Sequence, residues 1–269
     1  MKEERKLQKL VSTDIDDLIR NIKLDMPDNP MCYGYQVYSQ CDEDGIINNC
    51  LERIGNSVDL SNTFIEFGCG NGLQNNSHYL LLKDFKGCWI DGNSKNIETI
   101  RHHLGKLSFK NLLIQHSFVT LGTIKQITDE CINFLGTQEV DFLSMDLDGN
   151  DIYFLKFLAD ELNPKLICAE YNANFPPPMA CAVTYDKEFC WNHDSYYGAS
   201  LQALANTLDN YTLVSCNASG TNSFFIDKKY DKYFTKYNIE QLYQPPRYWL
   251  ANIPTGHAAS YKWLIQKLK

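Results

Sequence analysis

The stretch Phe64-Ile65-Glu66-Phe67-Gly68-Cys69-Gly70-Asn71-Gly72 sets a carboxylate two residues ahead of three glycines on alternate positions. Glycines in that pattern let a backbone turn sharply and approach a ligand closely. A second apolar run, Gly87-Cys88-Trp89-Ile90, ends in Asp91. An acid about 20 residues beyond a glycine loop is placed to accept hydrogen bonds from a ribose. Together these residues predict a nucleoside-containing ligand. A dinucleotide cradle needs G-x-G-x-x-G and a helix N-terminus turned to pyrophosphate. Here the spacing is G-x-G-x-G, and Glu66 would repel a pyrophosphate but pair with an ammonium or a sulfonium. The nucleoside cofactor that carries both cations and no phosphate is S-adenosylmethionine. A tight strand-helix turn with no ligand is the bland alternative, and it leaves the offset of Asp91 unexplained.

A second constellation follows in Asp141-Phe142-Leu143-Ser144-Met145-Asp146-Leu147-Asp148-Gly149-Asn150-Asp151, with three carboxylates at or just past a strand end. Leu166-Ile167-Cys168-Ala169-Glu170-Tyr171-Asn172 brings a further acid and an amide to the next strand end. Hard oxygen donors of this kind suit Mg²⁺, Mn²⁺ or Ca²⁺, with Asp146, Asp148, Glu170 and Asn172 as candidate ligands. Such an ion could bind substrate hydroxyls and lower the pKa of one of them. The competing reading makes Asp148 and Asp151 turn and cap residues, with Asp146 touching the cofactor.

Removing a proton from an alcohol needs a base, and Trp191-Asn192-His193-Asp194-Ser195-Tyr196-Tyr197 offers His193. The alternatives are an ion-activated alkoxide, with Asp148 beside it, and a His that is merely solvated. Trp191, Tyr196 and Tyr197 could stack on the face of a substrate ring or pack as a lid on itself. His78 reads as a helix-start residue facing the cofactor region, and the His102-His103 pair as solvated.

The elements that must position these groups show in the periodicity. Apolar residues at helical spacing, among them Leu7, Leu10, Val11, Ile15, Leu18 and Ile22, predict a helix over 4–24, ended by Pro27 and Pro30. A second helix is expected over 42–54. From Thr63 the pattern alternates, with strands at 63–67, 87–91, 111–118, 140–146, 165–171, 211–216 and 222–227. Helices near 75–84, 95–104, 122–135, 150–161 and 199–208 lie between them. This predicts an α/β fold: a Rossmann-like, seven-stranded, mostly parallel sheet with helices on both faces. The Cys216–Thr221 turn makes the last two strands an antiparallel hairpin. Three parts are expected: an N-terminal helical segment at 1–58 covering the cofactor site, a core at 59–228, and a helical docking segment at 229–269. The aperiodic stretch 172–197 is long enough to read as a functional, acceptor-side loop.

Composition narrows the classes. At 269 residues and 44% hydrophobic content, the chain can bury a full core. Its 25 basic and 33 acidic residues give a net charge of −8 with no basic stripe, against a nucleic-acid substrate. No run of about eighteen apolar residues is present, and no apolar stretch follows the charged N-terminus. Membrane insertion and secretion are therefore not expected, and the ten scattered cysteines read as reduced thiols in the cytoplasm. Cys181 and Cys190 could pair or bind metal on spacing alone.

Glu66 to Gly72 resembles the first motif of class I S-adenosylmethionine-dependent methyltransferases, and Trp89-Ile90-Asp91-Gly92-Asn93 resembles their second. The resemblance covers about residues 60–228. It implies a cofactor loop at Gly68, Gly70 and Gly72, ribose contacts from Asp91, and cofactor contacts from Asn93 and Ser117. The two acidic strand ends resemble those of metal-dependent O-methyltransferases. A wider set comprises Ser39-Gln40, Glu43-Asp44-Gly45, Asp146 to Asp151, Glu170-Tyr171-Asn172-Ala173 and Tyr196 to Leu201. It resembles a bacterial FkbM-like group associated with surface-polysaccharide sugars. That resemblance implies a sugar or nucleotide-sugar acceptor; Gln40, Glu43 and Asp44 could close the cofactor pocket from the N-terminal side or simply start a capped helix, and Tyr171 is a candidate substrate contact. Arg247, Lys228 and Lys229 are the candidate partners of a nucleotide diphosphate. Other small-molecule acceptors, a phosphoramidate among them, and a non-catalytic cofactor-binding subunit are the rival readings. Pro245-Pro246-Arg247-Tyr248-Trp249 and the amphipathic end suit docking, against the chain's own core or a second subunit in a homodimer.

Overall fold

The computed structural model describes residues 15–104, 110–250 and 260–268. Residues 15–25 form helix α1, while Leu7, Leu10 and Val11 of the expected N-terminal helix lie outside the described residues. Helix α2 (Glu43–Gly55) turns Ile46, Ile47, Cys50, Leu51 and Ile54 into the core.

Seven strands follow: β1 (Thr63–Phe67), β2 (Lys86–Asp91), β3 (Leu112–His116), β4 (Phe142–Met145), β5 (Leu166–Glu170), β6 (Tyr211–Cys216) and β7 (Asn222–Asp227). They form one sheet in the order β3-β2-β1-β4-β5-β7-β6. The first five pair in parallel, while β7 runs antiparallel to both β5 and β6. The expected mostly parallel sheet with a closing hairpin is what forms. Its order reverses between β1 and β4, and open α/β sheets bind ligands at such a crevice, beyond the strands' carboxyl ends. Both the glycine loop and the acidic turn leave the sheet there.

Side-chain alternation divides the core into two layers. Phe64, Trp89, Phe142, Leu166 and Cys168 pack on one face with α2 and with α4 (Ser94–Leu104). Ile65, Phe67, Ile90, Leu143, Met145 and Ile167 pack on the other with α5 (Ile124–Leu135), α6 (Asp151–Leu162) and α7 (Leu201–Thr207). Helix α5 buries Ile124, Ile127, Cys131 and Leu135 at spacings of three and four, and ends at Gly136 with a φ of 80°.

The helix expected over 75–84 shortens to α3 (His78–Leu82). Its first turn is consumed by Glu66, which faces the α2 and α3 side of β1 and draws in the amides of Asn76 and Ser77. Beyond β7 the chain continues through α8 (Ile239–Leu242) to α9 (Lys262–Leu268). Leu242, Leu250, Tyr261 and Leu264 join the same apolar layer as α2. The C-terminal segment thus packs on its own core. All ten cysteines are free thiols, Cys181 and Cys190 included. Among the described residues, no helix is long and apolar enough to cross a membrane.

Candidate functional site

At the carboxyl edge of the sheet lies a cavity of about 1200 Å³. Gly68 and Gly70 form part of its wall, and their geometry explains why glycine is required. Gly68 has a φ of 81°, and a Cβ there would stand 1.6 Å from the carbonyl oxygen of Asp146. The β1 loop is thereby pressed onto the end of β4. Gly70, with a φ of 56°, has nothing within 4 Å of the Cβ position and leaves open space for a ligand. Gly72 packs differently: a Cβ there would meet the Trp89 ring at 2.8 Å, so its role is to seat the loop on β2 rather than to line the cavity.

Asp91 ends β2 and lines the cavity. One carboxylate oxygen accepts from Gly70 N at 2.8 Å, and the other from Asn93 N at 2.7 Å and Asn96 Nδ2 at 3.2 Å. These bonds fix the carboxylate where the glycine loop meets the second motif. Asn93 and Ser117 line the same part of the wall, with Phe118 beside them.

A smaller polar pocket of about 250 Å³ shares Gln40, Gly68, Gly70 and Asp146 with the large one and reaches Glu66. Glu66 is 3% exposed. It accepts from Asn75 Nδ2 at 2.7 Å, Asn76 N at 2.8 Å and Ser77 N at 3.2 Å, and from the Ser77 hydroxyl. Burial pushes its carboxyl up to about 7, and those donors pull the other way. The acid first read as a bare cation partner is thus also the post around which 75–77 folds. His78 is buried too, stacked on Tyr38 with ring centroids 3.7 Å apart, its Nδ1 against the Gly72 carbonyl. Burial pushes it down to about 4.

Glu43 lies beneath the pocket and not in it. Fully buried, it accepts from Cys41 N at 2.8 Å and from the side-chain amides of Asn217 and Asn222. Asp42 accepts from Ala218 N, and one Asp44 oxygen takes the amides of Val37, Tyr38 and Ser39. This acidic run ties the N-terminal segment to the β6-β7 turn and holds Gln40 at the cavity. The expected cofactor contact of Glu43 is corrected to a supporting one, because its acceptors are engaged from below.

Asp146, Asp148 and Glu170 converge at the ends of β4 and β5, with one oxygen from each lying within 4.8 Å of the others. Glu170 Oε2 is buried with no hydrogen-bond partner. A buried carboxylate oxygen left unpaired is costly, and a cation answers that need. All three donors are hard oxygens, so the site fits Mg²⁺ or Mn²⁺. Burial, then the neighbouring acids, push Asp146 and Glu170 well above the usual carboxylate range. Asp148 is raised chiefly by burial, with His193 opposing. Asp151 stands apart: its two oxygens accept from Leu147 N at 2.7 Å and Gly149 N at 2.9 Å, organising the turn.

Asn172 does not join the acids. Its amide donates to the carbonyls of Ser195 and Tyr197 at 3.0 Å each, and its oxygen accepts from Asn174. It ties the two ends of loop 172–197 together and has no atom left for a metal. That loop folds over the cavity, with Phe189 against Gly149, where a Cβ would lie 2.3 Å from the ring. Asn150 anchors it further through the backbone of Asp186.

The loop brings His193, Trp191 and Tyr197 to the wall. Tyr196 stays outside, 56% exposed, accepting from Thr184 N. Tyr171 lies in the core, 1% exposed, and donates to the Gln244 carbonyl at 2.7 Å. Residues not foreseen at the wall are Phe189 and Tyr248, whose hydroxyl lies 2.6 Å from that of Tyr197. Phe189 sits in no motif, and Tyr248 belongs to the 245–249 stretch read for docking; only the aromatic content of the two segments hinted at a place in the wall. Arg247 donates to Ala218 O and Gln244 Oε1, Lys228 donates to Asp209 O, and Lys229 pairs with Asp227. None of these three cations lines the cavity.

No family model matches the sequence, and no curated protein matches it. Among solved structures, the N-terminal domain of EvdMO1 with SAH bound superposes with a TM-score of 0.44 at 11% identity, covering 78% of this chain and 94% of that one. An O-methyltransferase from Bacillus cereus in complex with SAH gives 0.40 at 11% identity, over 67% and 80% of the two chains. Monomeric WbdD gives 0.40 at 14% identity, over 74% of this chain and 43% of that one.

Proposed function

We propose that this chain is an S-adenosylmethionine-dependent O-methyltransferase that acts, with divalent-metal assistance, on a hydroxyl of a sugar acceptor. The observation that carries the reading is that a single cavity joins the bare Gly68-Gly70 loop and Asp91 to the Asp146, Asp148 and Glu170 cluster. Asp91 would take the ribose hydroxyls, and the walls at Asn93, Ser117 and Phe118 the adenine. The polar pocket at Glu66, Gln40 and Asp146 would take the amino-acid head, whose ammonium complements the acids. Bound there, the donor supplies a methyl group activated on a sulfonium.

Asp146, Asp148 and Glu170 would hold the ion, which supplies positive charge that makes an acceptor hydroxyl easier to ionise. Trp191 and Tyr197 would orient the acceptor by stacking on its less polar face. His193 would take the hydroxyl proton on its imidazole while the oxygen bonds to the methyl carbon and the S–C bond breaks. Asp148 lines the same cavity as His193 and would face the proton it takes up. We place this activity in the cytoplasm, in keeping with the free thiols, and a role in surface-glycan synthesis follows from the motif resemblance.

Calorimetric titration with S-adenosylhomocysteine tests the donor half: saturable one-to-one binding is expected, and its absence would sink the reading. Product mass detection over a panel of sugars, with and without chelator, tests the acceptor half.

A further inference from the structure

The wall of the large cavity carries five carboxylates, from Asp91, Asp146, Asp148, Glu170 and Asp194, and among the described residues that line it there is no Lys or Arg. His193 is its one basic side chain. Four cations of neighbouring segments are committed elsewhere: Arg247 to the Ala218 carbonyl and Gln244 Oε1, Lys228 to the Asp209 carbonyl, Lys229 to Asp227, and Lys187 to Glu188 at 3.6 Å on the surface. Four backbone donors at or beside the wall are committed as well. The amides of Leu147 and Gly149 at the start of α6, where a helix would receive an anion, are taken by Asp151. Gly70 N and Asn93 N are taken by Asp91.

Phosphate recognition in proteins depends on Arg or Lys forks, free backbone amides, or a bound metal ion. Among the described lining residues there is no Arg or Lys, and the one ion that the three acids would hold is assigned to the acceptor hydroxyl. One divalent ion held by three of the acids leaves the wall negative. What the wall does offer is aromatic surface, from Phe189, Trp191 and the hydroxyl-paired Tyr197 and Tyr248, beside hard oxygens. That combination receives a ring with hydroxyl groups and no charge.

We propose that the acceptor is an uncharged, phosphate-free polyhydroxyl compound, and that the cavity turns away the nucleotide-activated form of the same sugar by charge. This rests on the cavity being the methyl-transfer site, and it narrows the acceptor from any sugar to one that carries no diphosphate. The reaction that supplies it is then one that has already removed the nucleotide, such as glycosyl transfer or hydrolysis.

The test titrates UDP-glucose, GDP-mannose and dTDP-glucose into the full chain with S-adenosylhomocysteine and Mg²⁺ present at about 0.15 M salt, where charges beyond about 8 Å are screened. No dissociation constant tighter than about 1 mM is expected for the protein as it stands, and a tighter one overturns the proposal. Ser195→Lys places the missing cation in the wall and is expected to tighten binding of at least one nucleotide at least tenfold. Asp194→Asn, which keeps an acceptor for Tyr196 N, serves as a second variant with the same expected direction. If neither variant gains, shape and not charge excludes the nucleotides, and the proposal fails. Binding of S-adenosylhomocysteine in the same cell reports the fold of each variant. Its loss in the unaltered protein would count against the donor reading while leaving the nucleotide result interpretable.

Discussion

Gly68 shows how one residue type can join two motifs that are far apart in sequence. Its positive φ and its contact with the Asp146 carbonyl mean that no side chain fits without parting β1 from β4. Gly68→Ala is expected to cost about 3 kcal/mol or more of stability, measured by urea unfolding, and to abolish S-adenosylhomocysteine binding. Glu66 carries a pH signature. Its carboxyl rises from the usual 4.5 to about 7 on burial, so between those values the folded protein holds a proton that the unfolded chain releases. The resulting stabilisation is complete below about pH 4.5 and is lost as the pH rises through about 7. Glu66→Gln should therefore gain on the unaltered protein as pH goes from 5 to 8, by at most about 1.4 kcal/mol per pH unit. Denaturation midpoints at the two pH values check this, and a difference that shrinks with rising pH would refute it. Asp42 and Asp44, raised by burial to about 7 and about 6, act in the same direction. The glycine spacing and the acid before it were legible in the chain because backbone geometry leaves few residues able to serve. The bonds Glu66 makes to 75–77 were not, since nothing local says which amides a buried carboxylate will collect.

At the scale of elements, short apolar runs foretold every strand of the sheet, because strands such as β1 and β4 feed both core layers and are buried on both faces. The same pattern says nothing of a loop that returns over the sheet edge, and loop 172–197 is where the site reading went astray. Asn172 follows β5 as a metal ligand might, yet its amide clasps the loop's far end. Asn172→Ala is expected to quicken proteolytic cleavage within 172–197 and to weaken acceptor use, while divalent-ion affinity stays within about twofold. Glu170→Gln removes an ionised oxygen from the Asp146 and Asp148 cluster and should weaken Mn²⁺ binding about 10-fold to 100-fold by calorimetry. Equal affinity in that variant would remove the acids from the role of ion holders.

Over the whole molecule, the wall is drawn from distant parts of the chain, from Gln40 before the first strand to Tyr248 after the last. The 229–269 segment reads as a docking segment for the chain's own core or a second subunit, and among its described residues Leu242, Leu250, Tyr261 and Leu264 pack on the α2 side of the core. Tyr261 lies against the glycine loop through the Asn71 carbonyl, and Leu264 is fully buried. Leu264→Ala is expected to cost about 2 to 5 kcal/mol and to weaken S-adenosylhomocysteine binding, because α9 backs that loop. Unchanged affinity would detach α9 from the cofactor end.

The placement of Tyr248 also bears on how the protein is made. A ribosome that has delivered the chain as far as Asp227 has supplied all seven strands, and the sheet can close. The pocket cannot, because Tyr248, which meets Tyr197 across it, is still to come. During synthesis all the strands of the sheet are therefore made before the acceptor wall is complete.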